Sequence, residues 1–200
     1  MKSVMTLLRE AKATLKGRWG MAIVLLLLYG LIDLMCQEIP ITAIFVSFPI
    51  AFGVTRAFLL FSREGKALRV NDLFSAFNRK YYWKGVVAYL LMGIFTFLWL
   101  LLFIIPGIIK MLAYSLTPYI LADNPELSAK QALNKSVEMM NGHKARLFRF
   151  YLLYWVAAIG SSCLAWVPMI WLAPLFEVTM AKFYEDVKSV QKPVEVLTEA

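Results

Sequence analysis

The sequence predicts an all-α membrane protein whose six transmembrane helices form three hairpins, with amphipathic helices on the cytoplasmic side. Of its 200 residues, 60% are hydrophobic, and they fall in long runs with few charges, flanked by basic residues. The most informative run is 85–122, whose 38 residues carry one charge, Lys110. As a single helix it would reach roughly 57 Å, nearly twice the roughly 30 Å hydrocarbon core of a bilayer. The run therefore predicts two helices that fold back on each other.

Midway through this run, Pro106 and Gly107 mark the predicted turn of the hairpin. Proline disfavours a continuous helix, and glycine permits a tight turn. We therefore expect one helix over 85–105 and a shorter one that ends at residue 122. Whether residues 107–122 cross the whole bilayer stays open, because Lys110 leaves few apolar residues after it.

The other elements follow from apolar runs and capping residues. The first residues, 3–16, predict an amphipathic helix capped by Ser3, and Ser128 with Gln131 is a capping-box pattern. The first helix suits a membrane surface, although a basic signal that only sets orientation is the alternative. Three segments are predicted: an N-terminal helix in 1–18, a transmembrane domain over 19–183, and a loosely attached cytoplasmic tail over 184–200. Besides the two helices of the hairpin, the transmembrane domain has predicted spans at 19–35, 41–61, 147–167 and 169–183, and a further helix over 128–140.

Basic residues predict the orientation of the chain. Five Lys and Arg precede the first span, six lie in the loop 62–84 and four in 123–146, whereas the opposite turns hold only Lys110. Cytoplasmic loops carry an excess of Lys and Arg, so both termini are predicted in the cytoplasm of a multi-pass cell-membrane protein. The net charge of +8 then indicates attraction to anionic lipid headgroups, and nucleic acid is disfavoured as a partner because the basic residues flank apolar runs.

Proline placement suggests a threefold internal repeat of about 62 residues, each with a short helix, a span, a turn and a returning span. Two sets of positions are predicted to break helices, one in the outer turns and one within the returning spans. They are Pro40, Pro106, Gly107 and Pro168 in the turns, and Pro49, Pro118 and Pro174 in the spans.

The segment 104–148 carries three short motifs: PGIIK, an Asp-x-Pro at Asp123, and a Met-x-Gly-x-Lys that ends at Lys144. Together they resemble a family of bacterial membrane proteins termed domain of unknown function 975. LKGRWG near Leu15 and FPIAFGVTRAFLLFSREG extend the resemblance to about residues 3–184. The resemblance implies a six-span protein of the bacterial inner membrane. It also implies a distant similarity to the membrane domains joined to some glycerophosphodiester phosphodiesterases, but no established activity and no catalytic residue.

Three ionisable residues within predicted spans are candidate functional positions, because a lone charge in the membrane costs at least a few kcal/mol. They are Arg56, Arg149 and Glu177, all in the predicted cytoplasmic halves. We expect them to meet in a polar node inside the bundle. The alternative is that both arginines extend to the headgroups and Glu177 faces water.

No enzyme, cofactor or metal site is predicted from the sequence. His143 is the single histidine, and Cys36 and Cys163 stand alone, so ligand clusters are unsupported and pairing of the two cysteines stays open. The predicted function is a non-enzymatic protein that organises or senses the membrane or supports a membrane-protein partner or a second copy. The alternative is a transporter of a small solute or lipid, favoured by the broken spans.

Overall fold

The computed structural model describes residues 2–36, 40–79, 81–162 and 167–198, and these ranges contain helices and turns but no β-strand. A π-helical segment, Ala43–Ser47, leads into the fourth helix, and a 3₁₀ turn, Phe74–Phe77, follows the fifth. The α-helices are α1 (Val4–Leu15), α2 (Trp19–Cys36), α3 (Pro40–Thr42), α4 (Phe48–Glu64), α5 (Val70–Leu73), α6 (Tyr82–Leu102), α7 (Ile104–Tyr114), α8 (Thr117–Asp123), α9 (Ala129–Met139), α10 (Lys144–Ser162) and α11 (Met169–Thr198).

Within the described ranges, four helical segments are long and apolar enough to cross a membrane. They are Trp19–Cys36, Ile44–Glu64, Tyr82–Leu102 and Ile104–Asp123. These correspond to the first four predicted spans. Helices α10 and α11 occupy the places of the last two, but both carry several charged residues along their length. The described part of the chain is thus all-helical with four candidate spans, and six crossings stay a prediction.

The hairpin between α6 and α7 turns three residues before the predicted position. Phe103 is extended, with φ −157° and ψ 139°, and α7 already begins at Ile104. Pro106 is therefore the third residue of a helix, where its missing N–H would have had no intrahelical partner. Gly107 has a different role from the predicted turn, because a Cβ there would lie 2.5 Å from Leu100 Cδ2. Glycine at this position lets the two helices approach closely.

The returning helix is also broken, close to Pro118, one of the positions predicted to break a helix. Helix α7 ends at Tyr114, and α8 begins at Thr117 with Pro118 in its first turn. The Thr117 hydroxyl donates to the Tyr114 carbonyl at 2.7 Å and the Ser115 hydroxyl to the Leu112 carbonyl at 2.8 Å. Side chains thus satisfy carbonyls that the break leaves without helical partners.

The remaining predicted break positions differ in their effect. Pro49 lies in the first turn of α4, directly after the π-helical segment, and Pro40 begins α3. Pro168 immediately precedes α11, whereas Pro174 lies inside α11, which continues through it. A proline within the first turn costs little, so among these positions it is Pro174 that removes a hydrogen bond from the interior of a helix.

The bundle has inner and outer helices. For the segment Ile44–Glu64, which contains α4, 61% of the apolar stretch is buried, against 11% for α2 and 17% for α6. Helix α4 packs against both α8 and α11, and α11 also contacts α2. The inner helices are therefore α4, α8 and α11, while α2 and α6 expose most of their apolar side chains, as expected for helices that face lipid.

The short helices α1, α5 and α9 share one contact pattern. Helix α5 packs on α4 and α2, α9 packs on α6, α7 and α8, and α1 packs on α11 and α10. Helices α5 and α9 therefore each cover the pair of long helices that precedes them in the chain. Helix α1, at the start of the chain, covers the last pair, α10 and α11. The pattern recurs three times along the chain.

Helix α1 forms as predicted, and Ser3 caps it by accepting a hydrogen bond from the Thr6 N–H. Its apolar face does not lie free for a membrane surface, however. Leu7, Ala11 and Leu15 are at most 1% exposed because that face packs on other helices. Tertiary packing has thus taken up the apolar stripe that the sequence assigned to lipid.

The C-terminal segment is attached more firmly than predicted. Helix α11 runs on to Thr198 instead of ending near residue 183. Tyr184 and Val187 are fully buried, at 1% and 0% exposure. The expectation of a loose tail from residue 184 is therefore wrong for its first residues, which belong to the core.

Candidate functional site

Ionisable side chains from three inner helices meet where α8 ends. Asp123 is the last residue of α8, and its side chain is only 8% exposed. Around it lie Arg63 near the end of α4 and three residues of α11. We call this group the Asp123 cluster: Arg63, Asp123, Tyr184, Glu185 and Lys188.

Arg63 makes the most extensive contacts in the Asp123 cluster. Its Nη1 lies 2.8 Å from Asp123 Oδ1, and its Nη2 donates to Asp123 Oδ2 at 2.9 Å. The same guanidinium donates to Glu185 Oε1 from Nε at 3.1 Å and from Nη2 at 2.5 Å. A planar guanidinium suits such paired contacts, which fix its orientation between α8 and α11.

Two further donors complete the hydrogen bonding of Asp123. The Tyr184 hydroxyl donates to Asp123 Oδ2 at 2.8 Å, and the Lys188 ammonium donates to the same oxygen. Burial, followed by the nearby Asp123 charge, raises the pKa of the Tyr184 phenol well above its usual range. The hydroxyl therefore stays protonated and remains a donor.

A cavity of about 320 Å³ opens beside the Asp123 cluster, lined by Arg63, Glu185, Lys188 and Ser189. The two cations that line this cavity, Arg63 and Lys188, are already paired with Asp123 and Glu185, so the Asp123 cluster has no net charge. The arrangement joins α4, α8 and α11, and it holds the inner helices together at their polar end. It does not present an unpaired charge to a ligand.

A second ion pair fixes the N-terminus beside the same end of α11. Arg146 Nη1 lies 2.5 Å from Asp186 Oδ2 and donates to the Lys2 carbonyl at 2.9 Å. The Lys2 N–H donates to Asp186 Oδ1 at 3.2 Å. The Arg146 guanidinium also lies 4.5 Å from the centroid of the Phe183 ring. The start of α1 is thereby joined to α10 and α11.

His143 lies in the turn before α10. Burial, followed by the neighbouring Arg146 charge, lowers the pKa of His143. The imidazole is therefore neutral near physiological pH and adds no charge to the polar end.

The structure does not bring the three predicted node residues together. Arg56 lies with its guanidinium 5.0 Å from the Tyr81 ring centroid, and exposed Arg149 donates to the Ala145 carbonyl at 3.4 Å. Neither arginine pairs with Glu177 in the part of the chain that the structure describes. The ion pairs of Arg63, Arg146 and Lys188 are formed instead with Asp123, Glu185 and Asp186.

Glu177 lies on α11 one turn after Pro174, and it has a tyrosine-rich environment. Its carboxylate makes no hydrogen bond to another described residue. It does lie within electrostatic range of five tyrosines from α2, α6, α8 and α10. These are Tyr29, Tyr89, Tyr119, Tyr151 and Tyr154.

Sequence reasoning missed the Asp123 cluster because it used Asp123 only as part of the Asp-x-Pro motif and counted Arg63 only as a loop charge. The available signal was that charged residues closely follow the predicted second, fourth and sixth spans. That signal becomes specific only when it is known that those helices pack together.

Metal and cysteine chemistry find no support in the described ranges. No group of three or more His, Cys, Asp and Glu side chains there could hold a metal ion. Cys36 is a free, buried thiol at the end of α2, and Cys163 lies outside the described residues.

Comparison with known proteins gives one match. The family model described as "Protein of unknown function (DUF975)" matches residues 100–191, a range that includes α7 to α10 and most of the Asp123 cluster. No curated protein and no solved structure matches the chain. The match supports the family resemblance drawn from the sequence, whereas the distant similarity to glycerophosphodiester phosphodiesterase membrane domains is not supported.

Proposed function

We propose that the chain, whose residues 100–191 match the DUF975 family model, is a non-enzymatic, multi-pass protein of the bacterial inner membrane. In this proposal it crosses the bilayer six times as three hairpins, with both termini in the cytoplasm. Its role is to organise or sense the bilayer, or to support a membrane-protein partner or a second copy. Anionic lipid headgroups are its main non-protein contact.

The observation that best supports this proposal is that the charged side chains at the end of the inner helices are already paired with one another. Asp123 already accepts hydrogen bonds from three side chains and its side chain is only 8% exposed, so it is poorly placed to act as a general base. The Arg63 and Arg146 guanidiniums are likewise bound to carboxylates. Charges that are already paired in this way are better suited to holding helices together than to acting on a substrate.

Two surface features support a lipid partner. Helices α2 and α6 expose apolar side chains over most of their length, which suits hydrocarbon. Exposed basic side chains lie in the predicted cytoplasmic segments, where they suit anionic headgroups. They are Lys12, Lys16, Lys66, Arg69, Arg79, Lys130 and Lys135.

The six tryptophans provide a direct test of this role. We would reconstitute the protein into phosphatidylethanolamine vesicles containing dansyl-phosphatidylglycerol or dansyl-phosphatidylcholine, and measure energy transfer from tryptophan. Stronger transfer to the anionic lipid is expected, with no ion or proton flux above that of empty vesicles. Equal transfer to both lipids would contradict the proposed lipid partner, and a protein-dependent flux would contradict an accessory role.

Glu177 favours transport as a second candidate function. Ionisable residues within the membrane often mark proton or ion pathways, and this carboxylate has no described hydrogen-bond partner among the tyrosines around it. The flux assay with Glu177→Gln separates the two functions. A proton flux in the wild-type protein that Glu177→Gln abolishes would establish transport, whereas no flux in either protein leaves the accessory role.

A further inference from the structure

A groove between α7 and the start of α10 has the features of a binding site for one phospholipid. Its volume is about 500 Å³, and its walls are apolar except at one residue, Lys144. The apolar lining consists of Ile105, Ile108, Ile109, Leu112, Ala145 and Phe148. On α7 these residues follow the 3–4 spacing of one helical face, so the groove runs along that helix for about 10 Å.

The groove opens outward from the bundle. Ile105, Ile109 and Phe148 are 73%, 43% and 46% exposed. In a protein that resides in the bilayer, as proposed above, such a surface meets lipid and not water. The groove is therefore available to an acyl chain.

Lys144 supplies the charge that selects the headgroup. It is the first residue of α10, two residues before Arg146, whose partner Asp186 lies at the polar end of α11. Within the described ranges Lys144 has no carboxylate partner. An ammonium at the polar end of an apolar groove is complementary to a phosphate attached to an acyl chain.

Two other apolar cavities lack this feature. One is lined by α10 and α11 residues such as Gly160 and Trp171, and a smaller one by residues such as Leu153 and Leu175. Neither has a charged side chain in its lining. The cavity at Lys144 is also the largest of the three, and its volume falls within the 300–1,000 Å³ usual for ligand sites.

We propose that the groove between α7 and α10 holds one anionic phospholipid, with an acyl chain along α7 and the phosphate on Lys144. This inference rests on the proposed membrane location, but it names a specific site and ligand class. A helix from a partner protein fits the groove less well. At a diameter of about 10–12 Å, a helix would fill roughly 500 Å³ with a single turn.

The test is a lipid titration of the full chain in detergent, with binding measured by native mass spectrometry. Dioleoyl-phosphatidylglycerol and dioleoyl-phosphatidylcholine are compared on the wild type, Lys144→Gln and Ile109→Trp. The wild type is expected to prefer the anionic lipid. Lys144→Gln should reduce that preference about fivefold, the equivalent of ~1 kcal/mol per basic residue near an anionic surface. Ile109→Trp should weaken binding of both lipids by filling the groove.

Matched controls separate this site from lipid that surrounds any membrane protein. Lys2→Gln removes an exposed lysine that already pairs with Glu10 at 2.7 Å, and Ile94→Trp enlarges a 52% exposed isoleucine on α6. Neither should change binding. An unchanged preference in Lys144→Gln, or equal losses in Ile94→Trp and Ile109→Trp, would overturn the groove. The proposed preference of the whole protein for anionic lipid would then still be tested separately, by the energy-transfer measurement described above.

Discussion

Helices α4 and α6 show how two similar apolar segments take different places in one bundle. The segments Ile44–Glu64 and Tyr82–Leu102 both contain 21 residues, yet 61% of the first apolar stretch is buried against 17% of the second. Apolar length therefore decides which helices suit the membrane, but not which of them lie inside. In α4, a close backbone approach at Gly53 and an ion pair at Arg63 accompany the inner position.

Removing the Asp123 carboxylate should have the largest effect on the stability of the packing between the inner helices. Asp123→Asn leaves Lys188 without a charged partner and Arg63 with Glu185 alone, and such losses at buried pairs cost about 3–5 kcal/mol. Both cations are nearly one-third exposed, so we expect about 3 kcal/mol, or roughly a 6–12 °C lower melting temperature in detergent.

Glu126→Gln is the matched control for Asp123→Asn. Glu126 is exposed and lies three residues further along the chain, so its melting temperature should stay within about 2 °C of the wild type. Equal melting temperatures for the two variants would show that the Asp123 cluster does not hold the inner helices together.

A glycine pair tests the comparison between α4 and α6 directly. A Cβ at Gly53 would lie 2.1 Å from the Leu73 carbonyl oxygen, whereas a Cβ at Gly93 on α6 meets nothing within 4 Å. Gly53→Ala must therefore push α5 away from α4, at a cost of about 1–3 kcal/mol. Gly93→Ala should be neutral or stabilise by up to about 1 kcal/mol, because alanine is the better helix former.

Thermal unfolding in the same detergent measures both glycine variants. The expected shifts have opposite signs, so a general effect of alanine cannot imitate them. A Gly53→Ala protein as stable as Gly93→Ala would mean that the contact between α4 and α5 is not formed.

Ser136 offers a smaller test, at the break between α7 and α8. Its buried hydroxyl donates to the Ala113 carbonyl at 2.7 Å and accepts from the Leu116 N–H at 3.2 Å. Ser136→Ala leaves both backbone groups unsatisfied, and we expect a loss of about 1–2 kcal/mol. Ser189→Ala, at an exposed serine, should change stability by less than about 0.5 kcal/mol. Comparable losses in both would argue against a role for α9 at the break.

The smallest effect is expected at the cap of α9. Ser128 Oγ accepts a hydrogen bond from the Gln131 N–H at 3.3 Å, and the Ser128 N–H donates one to Gln131 Oε1 at 2.8 Å. Ser128→Ala should cost about 1 kcal/mol, while Ser128→Asp should keep the cap. Hydrogen exchange of the first turn of α9 measures this directly. Equal exchange in the two variants would contradict the capping box.

The sequence predicted local structure well where one segment contains the whole signal. The Ser3 cap, the Ser128–Gln131 capping box and the first four apolar segments all appear as expected. The turn was misplaced because the effect of Pro106 depends on where its helix begins, and Phe103 rather than Pro106 ends α6.

The candidate site depended on information that a single sequence does not contain. Arg56, Arg149 and Glu177 were grouped by depth along their spans, but depth does not say which side of a helix faces a neighbour. Asp123, Arg63 and Lys188 are separated by about 60 residues each, and only packing of α4, α8 and α11 brings them together. The burial of the apolar face of α1 had the same origin, because its partner α11 is the last helix of the chain.

Cysteine accessibility tests the central claim most directly: a membrane-embedded bundle whose polar end faces the cytoplasm. In a protein carrying Cys36→Ala and Cys163→Ala, Lys130→Cys places one thiol on the exposed side of α9. A membrane-impermeant maleimide should label this thiol in inside-out vesicles but not in intact cells. Labelling in intact cells would contradict the account.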